Sequence, residues 1–186
     1  MNDSNMYLKG KRVLLIAPKY FGYEREIIKE IENKGGDVTF VPENLEYFST
    51  YHRMIYVYFK SHIEKDRINY YKKRIGLHNG KVDYVLIIRG SSVNEDVVQL
   101  IKQYNPDAKL IIYNWDSTDL NPNIVKIYMH FDRVLTFDNH DATKYGWIYR
   151  PLFFINDAST NLIHDICFIG SLHSERGVLY RKLKEI

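Results

Sequence analysis

Short continuous apolar runs alternate along this chain with longer stretches in which apolar residues recur at helical spacing. The runs at residues 13–17 and 85–88, the second within a predicted strand at 82–88, are typical of strands that are covered on both faces of a sheet. Residues 24–34 carry isoleucines at helical spacing, and Gly35 and Gly36 follow as a helix terminator. This alternation predicts strands and helices in regular succession.

The same pattern continues through the rest of the chain. A second strand is predicted at 37–41, stopped by Pro42, and the longest helix at 48–74. Residues 92–95 (Ser-Val-Asn-Glu) have the form of a capping box that opens a helix ending at Tyr104. Further strands, with helices between them, are predicted at 110–113, 134–137 and 148–154.

Strands separated by helices of this length require right-handed crossovers. The predicted fold class is therefore α/β, with a Rossmann-like, doubly wound and mostly parallel sheet. The polar segment 156–161 is the predicted boundary. We expect one domain over 1–156, then a linker and the first strand (163–169) and helix (175–186) of a second domain over 157–186.

Composition narrows the classes of function. A net charge of +3 gives little support to nucleic-acid binding. No apolar run is long enough to span a bilayer, and the polar residues 1–5 lack the layout of a secretory signal. The single cysteine, Cys167, cannot form an internal disulfide. These features predict a cytoplasmic protein.

Ligands in open parallel sheets bind at the carboxyl ends of the strands, so the loops there hold the candidate site residues. The loop after the first strand, residues 18–23, offers Lys19, Tyr20 and Gly22. It lacks both G-x-G-x-x-G and the P-loop motif, which argues against dinucleotide and P-loop chemistry. Its aromatic residues and lysine can hold a sugar face and a negative group, or they can simply pack in a connecting loop.

The segment Arg89-Gly90-Ser91-Ser92 falls where a strand meets the start of a helix. Free N–H groups at a helix N-terminus attract anions, and Arg89 can pair with a phosphate, so Arg89 and Ser91 are candidate binding residues. Equally, Ser92 can cap the helix while Arg89 forms a salt bridge nearby.

The most distinctive cluster is Asn114-Trp115-Asp116-Ser117. A carboxylate beside an aromatic face suits carbohydrate contact, so Asn114 and Trp115 are candidate substrate-binding residues. Asp116 is the candidate general base for an acceptor hydroxyl. The plainer reading is that Asp116 or Ser117 caps a helix while Trp115 fills core.

Asp138 opens the segment Asp138-Asn139-His140-Asp141, which has the residue types of an acid–base or metal site but also those of an ordinary helix start. We include Asp138 among the candidate substrate-binding residues. No Asp-x-Asp occurs, and the seven histidines lack ligand spacing. The sequence therefore predicts neither a metal nor a cofactor.

A last candidate site follows the predicted strand at 163–169. There Gly170 and Ser171 form a turn that leads into a helix, with Arg176 in its first part. Such a turn can cradle an anion, and Arg176 can reach a diphosphate.

Taken in order, five segments resemble the front half of GT-B type glycosyltransferases of bacterial surface-polysaccharide synthesis, including the CgeB-like group. They are residues 113–117, 131–138, 145–146, 150–153 and 165–171. The resemblance implies the N-terminal domain of a GT-B fold and a role in capsular polysaccharide or lipopolysaccharide biosynthesis. It implies transfer of a sugar from a UDP- or GDP-linked donor to a glycan or lipid-linked acceptor.

The resemblance also implies a division of labour between two domains. The N-terminal domain shapes the acceptor side, and the turn with Gly170, Ser171 and Arg176 faces the donor diphosphate. Because most of a donor-side domain is not within these 186 residues, we expect the isolated chain to be inactive, or completed by a second copy or a partner chain. A non-catalytic ligand- or partner-binding module with the same fold is the alternative.

The long predicted helix mixes basic and aromatic residues. Such a helix can dock on an anionic membrane surface at the inner face of the membrane, although it more often presents a solvated face. The basic residues concerned are Lys60, Lys65, Arg67, Lys72, Lys73 and Arg74.

Overall fold

The structure is a computed structural model that describes residues 6–43, 60–76 and 81–153, together with Gly177, Arg181 and Lys182. The chain divides into two units, Met1–Ile155 and Asn156–Ile186. In the second unit the three described residues are helical. The predicted strand at 163–169 and most of the helix at 175–186 lie outside the described residues.

The described part of the first unit contains one six-stranded sheet in which every neighbouring pair is parallel. The strand order is β2-β1-β3-β4-β5-β6. The strands are β1 (Arg12–Ala17), β2 (Asp37–Pro42), β3 (Tyr84–Ile88), β4 (Lys109–Asn114), β5 (Arg133–Thr136) and β6 (Ile148–Tyr149). The predicted parallel α/β sheet is thereby confirmed.

Helices connect these strands and cover both faces of the sheet. They are α1 (Tyr23–Asn33), α2 (Lys60–Gly76), α3 (Glu95–Tyr104), α4 (Ile124–Ile127), a 3₁₀ turn (Tyr128–His130) and α5 (Asn139–Tyr145). On one face, Ile27 and Ile28 of α1 pack against the side chains of Leu15 and Ala17. On the other face, α2, α3 and α4 enclose the larger core, which includes Tyr71, Val97, Ile101 and Ile124. The sheet is thus doubly wound.

Three sequence-based boundaries are corrected. Helix α3 begins at Glu95, and its N-cap is Asn94, whose side chain accepts a hydrogen bond from the Val97 N–H at 3.1 Å; Ser92 is not the cap. Strand β6 has two residues, Ile148 and Tyr149, and the described residues 150–153 of the predicted strand at 148–154 lie outside it, because its partner β5 ends at Thr136. Helix α2 reaches Gly76, and the earlier part of the predicted helix, 48–59, lies outside the described residues.

Two aspartates bridge neighbouring strands at the amino-terminal edge of the sheet. Asp83 accepts hydrogen bonds from the Arg12 N–H at 2.9 Å and from Lys11 Nζ at 3.0 Å. Asp132 accepts one from the Leu110 N–H at 2.9 Å. These bonds lower the pKa of both carboxyl groups, led in each case by the backbone N–H.

Helix α2 carries exposed basic residues in its last turns, including Lys72, Lys73 and Arg74, whereas Arg67 forms an ion pair with Glu64 at 3.0 Å. Membrane docking by this helix stays a prediction. Among the described residues there is no helix with the length and apolar character needed to cross a bilayer.

Candidate functional site

The candidate site lies where the strand order reverses. Strand β2 lies on one side of β1, whereas β3 and the later strands lie on the other side. A crevice therefore opens at the carboxyl ends of β1 and β3. A cavity of about 300 Å³ occupies this edge. It is lined by Tyr20, Tyr23, Arg89, Trp115, Asp116, Leu152 and Phe153.

Aromatic rings form one wall of this cavity, and Trp115 is at their centre. Its ring centroid lies 6.1 Å from Tyr23, 6.1 Å from Tyr113 and 5.7 Å from Phe153, and Tyr23 and Phe153 are 6.1 Å apart. All four pairs meet edge to face, an arrangement that the ring quadrupoles favour. The wall is thus a packed set of rings with part of its surface open to a ligand.

A charged pair forms the polar part of the cavity. The Arg89 Nε–H donates to Asp116 Oδ2 at 2.8 Å, with the two side chains 28% and 31% exposed. Arg89 Nη1 also donates to the Tyr20 hydroxyl at 3.1 Å, and the guanidinium lies 5.6 Å from the centre of that ring. Burial works to lower the pKa of Arg89, but the hydrogen bond and charge of Asp116 raise it overall. The guanidinium therefore stays charged and links the loops after β1, β3 and β4.

The backbone of Arg89 is itself unusual. Its φ is 72°, in the left-handed region that side-chain-bearing residues seldom adopt, and Gly90 follows at φ 70°. Two hydrogen bonds hold this conformation: the Arg89 N–H donates to the Tyr113 carbonyl at 2.8 Å, and Asn121 Nδ2 donates to the Arg89 carbonyl at 3.0 Å. Strain of this kind concentrates at functional sites, where the surroundings enforce it.

A buried carboxylate, Glu43, braces the loop that carries Arg89. Its Oε1 accepts hydrogen bonds from Ser91 Oγ at 2.9 Å and from the Ser92 N–H at 2.8 Å. The Ser92 hydroxyl donates to the Glu43 carbonyl at 2.7 Å and contacts the Tyr71 hydroxyl at 2.8 Å. Burial raises the pKa of Glu43, although its hydrogen bonds to Ser92 and Ser91 oppose that rise. The donors expected to receive a phosphate are already engaged by a carboxylate of the protein.

The sequence-predicted residues therefore fall into separate groups. The cavity brings together Tyr20, Arg89, Trp115 and Asp116. Ser91 lies instead in the Glu43 network. The candidate donor-phosphate residues Gly170, Ser171 and Arg176 lie outside the described residues, so that prediction stays open.

The other candidates lie around the cavity without lining it. Lys19 is exposed in the loop after β1, and Gly22 precedes α1 at φ 80°. Asn114 ends β4 fully buried, and neither amide atom has a hydrogen-bond partner among the described residues. Asp138 is the N-cap of α5 and accepts from the N–H groups of His140 and Asp141. The structure thus gives Asp138 a capping role.

Sequence reasoning missed Glu43, Tyr23, Leu152 and Phe153. The segment that contains Leu152 and Phe153 carried the family resemblance but was given no role, and Tyr23 lies in the loop at 18–23 but was not among the residues proposed from it. Glu43 had one available signal, since it is a carboxylate directly after a predicted strand.

Asp141 was also missed as a supporting residue. It is buried and accepts from the Thr118 N–H at 2.8 Å and the Thr118 hydroxyl at 2.7 Å. These bonds fix the loop that carries Asp116 to the start of α5 and so help to hold Asp116 beside Arg89.

Within the residues that the structure describes, no group of three or more histidine, cysteine, aspartate or glutamate side chains is arranged to hold a metal ion. The chemistry of the cavity is instead that of aromatic rings, one guanidinium and one carboxylate.

Comparison with known proteins adds little to this geometry. No protein family matches the sequence, and no curated protein matches it. Among solved structures, a chain from the crystal structure of histidine kinase ThkA in complex with response regulator protein TrrA matches with a TM-score of 0.37 and 13% identity. The match covers 73% of this chain and 95% of that chain. A likeness this slight has no bearing on function.

Proposed function

We propose that this chain is the acceptor-side domain of a glycosyltransferase that moves a sugar from a nucleotide-sugar donor to a bacterial surface polysaccharide or a lipid-linked acceptor. The observation that carries the proposal is the cavity in which the aromatic wall around Trp115 meets the Arg89–Asp116 pair. A sugar ring has an apolar face and a hydroxyl-bearing edge, and this cavity offers a surface for each. The sequence resemblance to GT-B enzymes supports the same conclusion.

Each cavity residue has a role in this proposal. Trp115 and Tyr23 contact the apolar face of the acceptor sugar, and Asp116 accepts a hydrogen bond from its reacting hydroxyl. As that oxygen bonds to the anomeric carbon of the donor, the bond to the nucleotide diphosphate breaks and Asp116 takes the proton. Arg89 orients Asp116 through the 2.8 Å hydrogen bond. Asp116 is thus the proposed base, and Arg89 is a positioning residue.

The proposal includes a cytoplasmic location at the inner face of the membrane, where a lipid-linked acceptor would be met. The single cysteine suits a reducing compartment, because the chain needs no internal disulfide. The exposed basic residues at the end of α2 would favour an anionic membrane surface.

A second candidate function is a binding module that holds a ligand in the same cavity without turnover. The observation that favours it is the ion pair itself, because a carboxylate already bonded to a guanidinium serves as a fixed polar contact as readily as a base. This candidate requires the ligand-binding role of Asp116 but no proton transfer.

Gene deletion with complementation tests the transferase function. We expect a strain that lacks the gene to lose one sugar from its surface polysaccharide, as measured by composition analysis. The wild-type gene should restore that sugar, and a gene encoding Asp116→Asn should not. Asp119→Asn is the matched control, since Asp119 is an exposed carboxylate in the same loop that does not line the cavity.

Three outcomes are informative. An unchanged polysaccharide in the deletion strain contradicts the transferase function. Full restoration by Asp116→Asn keeps the transferase but removes Asp116 as its base. Failure of both Asp116→Asn and Asp119→Asn to restore the sugar would mean that the loop, rather than the Asp116 carboxylate, is required.

A further inference from the structure

We infer that the cavity accepts an uncharged sugar unit and rejects sugars that carry a phosphate or a carboxylate. The inference rests on the proposed function and specifies its acceptor class. Two features of the site would ordinarily attract an anion, the Arg89 guanidinium and the backbone N–H groups after β3. In this structure, carboxylates of the protein itself engage both.

The positive charge of Arg89 is already paired with a carboxylate of the protein. Its Nε–H donates to Asp116 Oδ2 at 2.8 Å, and Nη1 donates to the Tyr20 hydroxyl at 3.1 Å. The residues that line the cavity therefore contribute one positive and one negative charge in direct contact. An entering phosphate would have to compete with Asp116 for the guanidinium while lying close to the Asp116 carboxylate. These like charges repel one another, which lowers the affinity for the phosphate.

The hydrogen-bond donors in the loop after Arg89 are also already occupied. The Ser92 N–H and the Ser91 hydroxyl would otherwise form the start of an anion cradle, and both donate to Glu43 Oε1, at 2.8 Å and 2.9 Å. Glu43 is completely buried, so water does not compete for these donors at the Glu43 side. Both donors are thus occupied by a side chain of the protein itself.

The surface that is left suits a neutral ring. Trp115, Tyr23 and Phe153 supply apolar area, and the Arg89–Asp116 pair supplies one donor and one acceptor for neighbouring hydroxyls. A neutral sugar can use the pair without separating it, because its hydroxyls both donate and accept. Charge compensation therefore selects against anions without weakening contact with hydroxyl groups.

Tryptophan emission gives a direct test, because the chain has two tryptophans and Trp147 lies outside the cavity. In the Trp147→Phe protein, Trp115 is the only tryptophan, so emission under tryptophan-selective excitation comes from the cavity. We would titrate it with methyl α-glucopyranoside, methyl α-galactopyranoside and methyl α-mannopyranoside, and separately with glucose 6-phosphate and glucuronate. At least one neutral glycoside should bind roughly tenfold more tightly than either anion, equivalent to about 1.4 kcal/mol.

A variant that removes the Asp116 charge tests whether this carboxylate is what excludes anions. Asp116→Asn keeps the shape of the side chain and removes its charge, which leaves Arg89 uncompensated. In the Trp147→Phe background this variant should raise the affinity for glucose 6-phosphate about tenfold or more, while Asp119→Asn should leave it unchanged. Circular dichroism of each variant checks that the fold is intact.

The inference is overturned if glucose 6-phosphate or glucuronate binds the parent protein as tightly as the best neutral glycoside, or if no neutral glycoside changes Trp115 emission. It is also overturned if Asp116→Asn gains no affinity for the phosphate. Neutral-sugar binding together with an unchanged polysaccharide in the deletion strain would support the inference and contradict the transferase. Preferential binding of anions together with loss of a surface sugar would contradict the inference and support the transferase.

Discussion

Arg89 and Asp116 follow the adjacent strands β3 and β4, and their side chains meet at 2.8 Å in the wall of the cavity. Parallel pairing places the carboxyl ends of neighbouring strands at one edge, so two residues far apart in sequence become partners. Arg89 also donates a hydrogen bond to Tyr20 in the loop after β1. The pair therefore connects that loop to Asp116, the carboxylate that we propose as the base.

Replacement of Arg89 by lysine should loosen this edge of the sheet. A lysine keeps the charge but cannot donate to Asp116 and to Tyr20 from one rigid fork. We expect the free energy of unfolding to fall by about 1–3 kcal/mol, the usual cost of a lost hydrogen bond to a charged group. Urea denaturation measures it, with Arg25→Lys on the exposed side of α1 as control. Equal stabilities of the two variants would mean that the Arg89 contacts contribute nothing.

Gly90 allows the strained turn to lie close to β4. A Cβ atom at this position would lie 2.7 Å from Ile112 Cδ1, and the φ of 70° disfavours any side chain. Gly90→Ala should therefore lower the free energy of unfolding by about 1–2 kcal/mol from backbone strain alone, with the clash adding to it.

A double-mutant cycle separates these two costs. Ile112→Val removes the Cδ1 atom that the alanine would meet, so Gly90→Ala should cost less in that background than in the wild type. If the two costs are equal, the clash with Ile112 has no part in the effect.

Glu43 should make stability depend on pH. Because burial raises the pKa of Glu43 in the folded state, the folded state binds this proton more tightly than the unfolded state does. The contribution to stability is therefore fully present below the unfolded value of about 4.3 and is lost as pH rises through the raised pKa. We expect the wild type to lose stability relative to Glu43→Gln across that interval.

Denaturation curves at a series of pH values give this comparison, and Glu26→Gln on the more exposed surface of α1 is the control. Parallel pH profiles for the wild type and Glu43→Gln would contradict the prediction. Glu43→Ala should be less stable than Glu43→Gln at every pH, because it leaves the Ser91 and Ser92 donors without their acceptor.

Asp83 and Asp132 should make stability depend on pH in the direction opposite to that of Glu43. Their pKa values are lowered in the folded state, so their contribution is present above the ordinary aspartate value of about 3.9 and is lost as pH falls through the lowered pKa. Asp83→Asn and Asp132→Asn should each reduce the stability difference between neutral and acidic pH. Acid denaturation followed by circular dichroism tests this, and an unchanged acid midpoint in both variants would count against it.

The fold could be predicted from the sequence because its strands are continuous apolar runs. Residues 13–17 and 85–88 are almost wholly buried, which is what an all-parallel sheet between two helix layers requires. The length of strand β6 could not be predicted in this way, since Ile148 and Tyr149 are exposed at the sheet edge and the pairing stops where β5 ends, at Thr136.

The site was predicted only where its residues follow strands that prove to be neighbours. Tyr20, Arg89 and Asp116 come after β1, β3 and β4, which lie side by side, so their convergence follows from the strand order. Glu43 follows β2, and its carboxylate reaches past β1 to the loop after β3, a contact that no local pattern reveals. The Ser92 hydroxyl also donates to the Glu43 carbonyl. The N-cap of α3 is Asn94 rather than Ser92.

Two-dimensional ¹H–¹⁵N NMR can detect whether a sugar binds at Trp115. The chain has two tryptophans and therefore two indole N–H signals, one in the cavity and one at Trp147 in the main core. On titration with the methyl glycosides, we expect the Trp115 indole signal to shift in a saturable way while that of Trp147 stays fixed. A Trp115 signal that does not move with any glycoside, or equal shifts of both signals, would contradict it.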